Sequence, residues 1–200
     1  MKRPYLLLAV ALLAGCAGRV IDLDGAPPVD TGSEALHILV PEGSKMAFQE
    51  NRPRVQIREY VPRNQSTDRW SEMLTVLVMD REVAPDIETV FQRMTAAFKA
   101  GCAVDPVIQD PRRFFEGPYP AGIQTVVCGK SRQFGYGEVV VYKLIQGTKG
   151  FFQVQRAWRF PPAASSGDLT VTPDMAGKAA DSLAGVYLCD RQNPDDRCRP

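Results

Sequence analysis

Residues 138–160 constrain the fold of this 200-residue chain more than any other stretch. The runs EVVVYKLI (138–145) and FFQVQRAWRF (151–160) flank the connection Gln146-Gly147-Thr148-Lys149-Gly150. In the second run Phe152, Val154, Arg156 and Trp158 alternate with Gln153, Gln155, Ala157 and Arg159. Period-two alternation of β-branched and aromatic residues around a short glycine-bearing loop predicts a long antiparallel hairpin with one aromatic-rich face.

Other segments carry the same period. LHILV (36–40) is a short apolar run ended by Pro41. RVQIREYV (54–61) places Val55, Ile57, Glu59 and Val61 on one face and Gln56, Arg58 and Tyr60 on the other, a half-buried strand. LTVLVM (74–79) reads as a central strand and IQTVVC (123–128) as a further one. Two segments have helical spacing instead. Over 86–100, Ile87, Val90, Phe91, Met94, Ala97 and Phe98 form one stripe, with Gly101 as the expected C-terminal cap. A second helix is expected from cap Thr172 and Pro173 to about Leu188, lined by Met175, Ala179, Leu183, Val186 and Tyr187. The order β-β-β-α-β-β-β-α predicts an α+β domain, an antiparallel sheet of about five to six strands with two amphipathic helices.

Composition excludes several classes. The chain has 24 basic and 23 acidic residues, too balanced for a protein that binds nucleic acid by neutralising phosphates. At 44% hydrophobic it can build a core, so global disorder is excluded. Its glycines and prolines have no period, which excludes collagen-like and repeat architectures.

The N-terminus has the form of an export signal. Lys2 and Arg3 precede an apolar run over 6–13, too short to span a bilayer of roughly 30 Å. Leu13-Ala14-Gly15-Cys16 resembles the lipobox of bacterial lipoproteins. That resemblance implies cleavage before Cys16, acylation (palmitate or a similar chain) of Cys16, and membrane attachment through those chains. Ala17 follows in place of the Asp of an inner-membrane retention signal, so the outer membrane facing the periplasm is the implied destination. Residues 1–15 are then a signal peptide and 16–35, with Pro27-Pro28, a lipidated flexible tether. Residues 36–200 form one periplasmic domain. Loss of Lys2 and Arg3 leaves 22 basic against 23 acidic residues.

Setting Cys16 aside leaves Cys102, Cys128, Cys189 and Cys198, an even number in a compartment that favours disulfides. Three pairings are possible. The sequence-local one, Cys102–Cys128 and Cys189–Cys198, is preferred and would clip back the polar C-terminal tail. No CxxC occurs, and the spacings do not match a four-thiolate zinc site.

Val40-Pro41-Glu42-Gly43, the following hairpin and a late strand pair closing with a helix resemble the PsbP-like fold, an antiparallel sheet between helices. That resemblance implies an assembly or accessory role and transfers no functional residues. Tyr60-Val61-Pro62, Gln65-Ser66 and Trp70-Ser71-Glu72-Met73 are similar to a pattern in bacterial envelope proteins.

No catalytic constellation is legible. Gly129-Lys130-Ser131 lacks the upstream glycine of a phosphate loop, since position 124 is Gln. Gly135-Tyr136-Gly137 reads as a turn. His37, the one histidine, lies in an apolar run, and neither GxSxG nor SxxK is present to supply a nucleophile. Neither metal nor cofactor is expected. Two stretches are candidate partner or ligand surfaces: the polar loop between strands, with Arg63, Arg69 and Trp70, and the aromatic segment with Phe114, Phe115 and Tyr119. The leading expectation is a non-enzymatic accessory lipoprotein that contacts an envelope protein. The alternatives are a lipoprotein holding a lipid or other apolar ligand between helix and sheet, and a hydrolase using paired carboxylates.

Overall fold

In the computed structural model, residues 19–20, 29–168 and 178–193 are described. The strands in chain order are β1 (Arg19–Val20), β2 (Glu34–His37), β3 (Leu39–Val40), β4 (Ser44–Arg52), β5 (Val55–Pro62) and β6 (Glu72–Asp80). Helix α1 (Ile87–Gly101) follows, then β7 (Val107–Ile108), β8 (Arg112–Glu116), β9 (Tyr119–Cys128), β10 (Gly137–Gln146), β11 (Gly150–Phe160) and β12 (Tyr187–Asp190).

The long hairpin forms as its alternation predicts, and it is the centre of the molecule. Val139 pairs with Trp158 and Ile145 with Phe152, in continuous antiparallel register. The main sheet runs β4-β5-β6-β11-β10-β9-β7, with β8 also paired to β9. It is antiparallel throughout. The architecture is α+β as expected. Among the described residues the sheet is larger than the five to six strands expected: eight, beside two two-stranded ribbons, β1-β3 and β12-β2.

The extra strands escape the periodicity for a physical reason. β4 (SKMAFQENR) is an edge strand whose side chains are exposed or half-buried, so no apolar alternation is imposed on it. Pairing with β5 makes it a strand. Arg54, at φ 72°, belongs to the turn between the two and not to β5.

Both faces of the sheet are covered. On one, Phe91 of α1 packs against Tyr142, ring centroids 5.8 Å apart. Gly122 makes room for it, because a Cβ there would lie 2.8 Å from the Phe91 ring. On the other, Lys143 reaches the Val186 carbonyl, which places the 178–186 segment and the β12-β2 ribbon over that face. Central strands are therefore buried on both sides: in β10, residues 139–145 are all buried.

α1 begins where the sequence predicts. The Asp86 carboxylate accepts from the Thr89 amide at 2.7 Å and from its hydroxyl at 2.8 Å. Its end is different. Gly101 is the last helical residue, and Cys102 leaves in an extended conformation, bonded to Cys128. The expected Cys102–Cys128 disulfide is present, with Cα atoms 5.7 Å apart. Cys198, the expected partner of Cys189, lies outside the described residues, as do Cys16 and the lipobox.

The second helix is shorter at its C-terminal side than its apolar spacing predicts. Residues 178–181 are helical, whereas Tyr187 and Leu188 belong to β12, paired with His37 and Leu36. Thr172, Pro173 and Met175 lie outside the described residues. The 36–40 run is divided between β2 and β3. Order also extends N-terminal to position 36, for Val29 is 1% exposed and Glu34 begins β2.

Glu34 joins that ribbon to the hairpin tip. Its carboxylate accepts from the backbone N–H groups of Thr148, Lys149 and Gly150, the last two at 3.2 and 3.1 Å. A Cβ at Gly147 would lie 2.4 Å from the same carboxylate.

Candidate partner-binding groove

At the end of the sheet away from the hairpin tip, the strands deliver three segments to one place: residues 63–71 between β5 and β6, residues 129–136 between β9 and β10, and the close of β11. Arg159 is their meeting point. Its guanidinium carbon lies 3.8 Å from the Trp70 ring centroid and 3.6 Å from that of Tyr136. The two rings are inclined at 67°, so the cation is wedged in the angle between them. Phe134 stacks on Tyr136, centroids 5.5 Å apart, and its own ring centroid lies 5.9 Å from the Arg159 guanidinium carbon. Arg159 also donates to the Asp68 carbonyl at 2.9 Å and to the Tyr136 hydroxyl.

The loops themselves are fixed. The Gln65 side chain accepts from the Ser71 amide at 2.6 Å and donates to its hydroxyl at 3.0 Å, closing the 65–71 loop. The 129–136 loop is tied to the C-terminal end of α1: Arg132 N–H donates to the Gly101 carbonyl at 2.8 Å, and Ala103 N–H to that of Lys130 at 2.7 Å. The Cys102–Cys128 disulfide lies beside both contacts. Over this floor Asn64, Gln65, Ser66, Arg69, Trp70, Ser71 and Arg159 line a groove of about 650 Å³.

Glu138, the cross-strand neighbour of Arg159, is pushed up to about 7 by burial, against the lowering effect of Arg159. Burial and the nearby Glu138 also raise the Tyr136 phenol, although Arg159 pulls it down. Glu59, buried on β5, is likewise raised to about 7 by desolvation. The two raised carboxyls do not form a dyad. Glu59 and Glu138 stand on β5 and β10, with β6 and β11 between them, at least about 14 Å at ordinary strand spacing.

The candidate residues separate on the structure. Arg63 and Arg69 are exposed, while Trp70 is 7% exposed and serves as the wall under Arg159. The second cluster divides. Phe115 is 72% exposed, whereas Tyr119 is buried and Phe114 is half-buried beneath Lys143, whose ammonium is 5.4 Å from its ring. Lys143 pairs there with Glu116 at 2.7 Å. These residues do not adjoin the groove, because β8 and the start of β9 are at the other end of the sheet. His37 stacks on Tyr187, centroids 4.3 Å apart, with its Nδ1 3.4 Å from the Gly185 carbonyl oxygen.

Sequence reasoning missed Phe134, Tyr136, Glu138 and Arg159. The Trp-Arg pairing within FFQVQRAWRF and the aromatics flanking Gly135 were visible, but only strand pairing brings them to Trp70. Among the described residues no group of three or more His, Cys, Asp or Glu could hold a metal ion, and no helix is long and apolar enough to cross a membrane. The helix–sheet interface, where the apolar-ligand reading places its pocket, is occupied by Phe91, Phe98 and Tyr142.

No protein-family model and no curated protein matches the chain. Among solved structures it is similar to a mutant of the protein Mog1, at 13% identity and a TM-score of 0.45, over 84% of this chain and 85% of that one.

Proposed function

We propose that the protein is a lipid-anchored accessory module of the bacterial envelope, non-enzymatic, which presents the groove above Arg159 to a protein partner. Anchorage rests on the lipobox-like Leu13-Ala14-Gly15-Cys16. Each methylene of an acyl chain on Cys16 would contribute about 0.8 kcal/mol on burial, so several chains would hold the protein on the membrane. Ala17 after the cysteine favours the outer membrane, facing the periplasm. The accessory role is the one the PsbP-like resemblance implies.

The observation that carries the interaction reading is the Trp70–Arg159–Tyr136 wedge beneath exposed Arg69. Trp, Tyr and Arg are the residues most enriched in interface hot spots, and here hydrogen bonds and a disulfide hold their loops in place. A photo-crosslinking residue at Ser66 in growing cells should yield one discrete adduct, lost when the exposed Asn64 and Arg69 are changed together to Ala and Gln. A ladder of adducts indifferent to those changes would defeat the reading. Separately, Cys16→Ser should release the protein from membranes, and continued membrane association would overturn the lipid anchor.

A further inference from the structure

We infer that the groove takes the carboxylates of an acidic peptide segment, with Arg69 and Arg159 as its anion site. The inference rests on the accessory reading above and names the partner's chemistry.

A guanidinium has five N–H donors. In Arg159 the Nε is buried without a partner among the described residues. Nη1 uses one hydrogen on the Asp68 carbonyl and Nη2 one on the Tyr136 hydroxyl. Each Nη therefore keeps a second N–H, on a side chain that lines the groove. Trp70 and Tyr136 fix the plane of the fork, so little rotamer freedom is lost when an anion docks.

Arg69 lines the same groove, exposed and in no ion pair among the described residues. The acid best placed to neutralise Arg159 from within is Glu138, and burial leaves it partly protonated near neutral pH. Asp68 is the other nearby acid. It is exposed, where solvent screens it, and it is not a lining residue. The groove thus carries two cations without an equal internal countercharge. Asn64, on its rim, adds an amide donor and acceptor that match a peptide group. A volume of about 650 Å³ holds a few residues of extended chain.

The test is calorimetric titration of the full-length mature lipoprotein in detergent with an acetylated triglutamate amide and its triglutamine isostere. Saturable binding of the glutamate peptide alone is expected, weakened roughly tenfold by Arg69→Gln through loss of one charge-assisted contact. Arg159→Lys, which keeps the charge and loses the fork, should weaken it further. If Arg159→Lys does not fold, Arg69→Gln still decides. Equal binding of the two peptides, or none of either, or an unchanged Arg69→Gln, overturns the inference. A Ser66 crosslink to a partner that triglutamate does not displace would also overturn it while leaving the accessory reading intact. Absence of any partner adduct would count against that reading, and the titration would still decide the anion site.

Discussion

The Arg159 guanidinium lies 3.8 Å from the centre of the Trp70 ring, a contact between residues 89 positions apart. Trp70 covers the end of the sheet and fixes the cation at the groove floor. Trp70→Ala should therefore cost about 3–5 kcal/mol, the usual range for truncating a buried aromatic. Trp70→Phe should cost clearly less, since a ring face remains for Arg159. Urea unfolding midpoints measure both. Equal losses would mean that a phenyl ring at this position supports neither the packing nor Arg159.

Glu59 should make the protein less stable as pH rises. Its folded value of about 7 exceeds the ordinary glutamate value of 4.5, so the folded state retains a proton that the unfolded chain has released. Stability then falls between about pH 4.5 and 7 and is flat above. Glu138, also raised to about 7, gives a limb of the same sign, so Glu59→Gln should remove about half of the slope and stabilise the protein at pH 7.5 by about 3 kcal/mol, one unit being about 1.4 kcal/mol. Denaturation across that pH range checks it. A wild-type slope of the opposite sign would refute it.

The Cys102–Cys128 bridge closes a loop with a sequence separation of 26. By loop entropy, replacing both cysteines with alanine should cost about 3.5 kcal/mol. The loss should be accompanied by faster amide exchange at Arg132 and Ala103, whose bonds tie the 129–136 loop to α1. Unchanged exchange there would show that the bridge does not hold the groove loop.

Glu34 satisfies three backbone donors at the hairpin tip. Glu34→Ala should cost about 2–4 kcal/mol, because the donors lose a charged acceptor. Glu34→Gln, which keeps one oxygen, should cost less. Hydrogen exchange at Thr148, Lys149 and Gly150 reads the effect directly, and protection unchanged in Glu34→Ala would contradict the assignment.

Strands were legible where the sheet is buried and illegible at its margins. Residues 138–145 and 151–160 lie within β10 and β11, and the 86–100 stripe nearly coincides with α1. β4 left no trace, because an edge strand has only one neighbour and most of its side chains meet water. Tyr187 and Leu188 misled in the other direction. Their spacing continues the helical stripe of Ala179 and Leu183, but pairing with His37 and Leu36 makes them a strand. A short apolar run fits either period, and its neighbours decide.

For the site, the sequence located the Arg69-Trp70 loop but not what it faces. Its periodicity determined a core-forming α+β chain, and its spacing favoured, without deciding, the sequence-local cysteine pair at 102 and 128. Alternation is a property of each strand by itself and can be read one segment at a time. The tertiary structure alone decided that Trp70, Tyr136, Glu138 and Arg159 share one end of the sheet, because that depends on strand order and register. It also decided which aromatics are walls and which are surface: Trp70 and Tyr119 are buried, while Phe115 and Phe134 remain exposed. Burial is set by what packs across from a residue, and that partner comes from elsewhere in the chain.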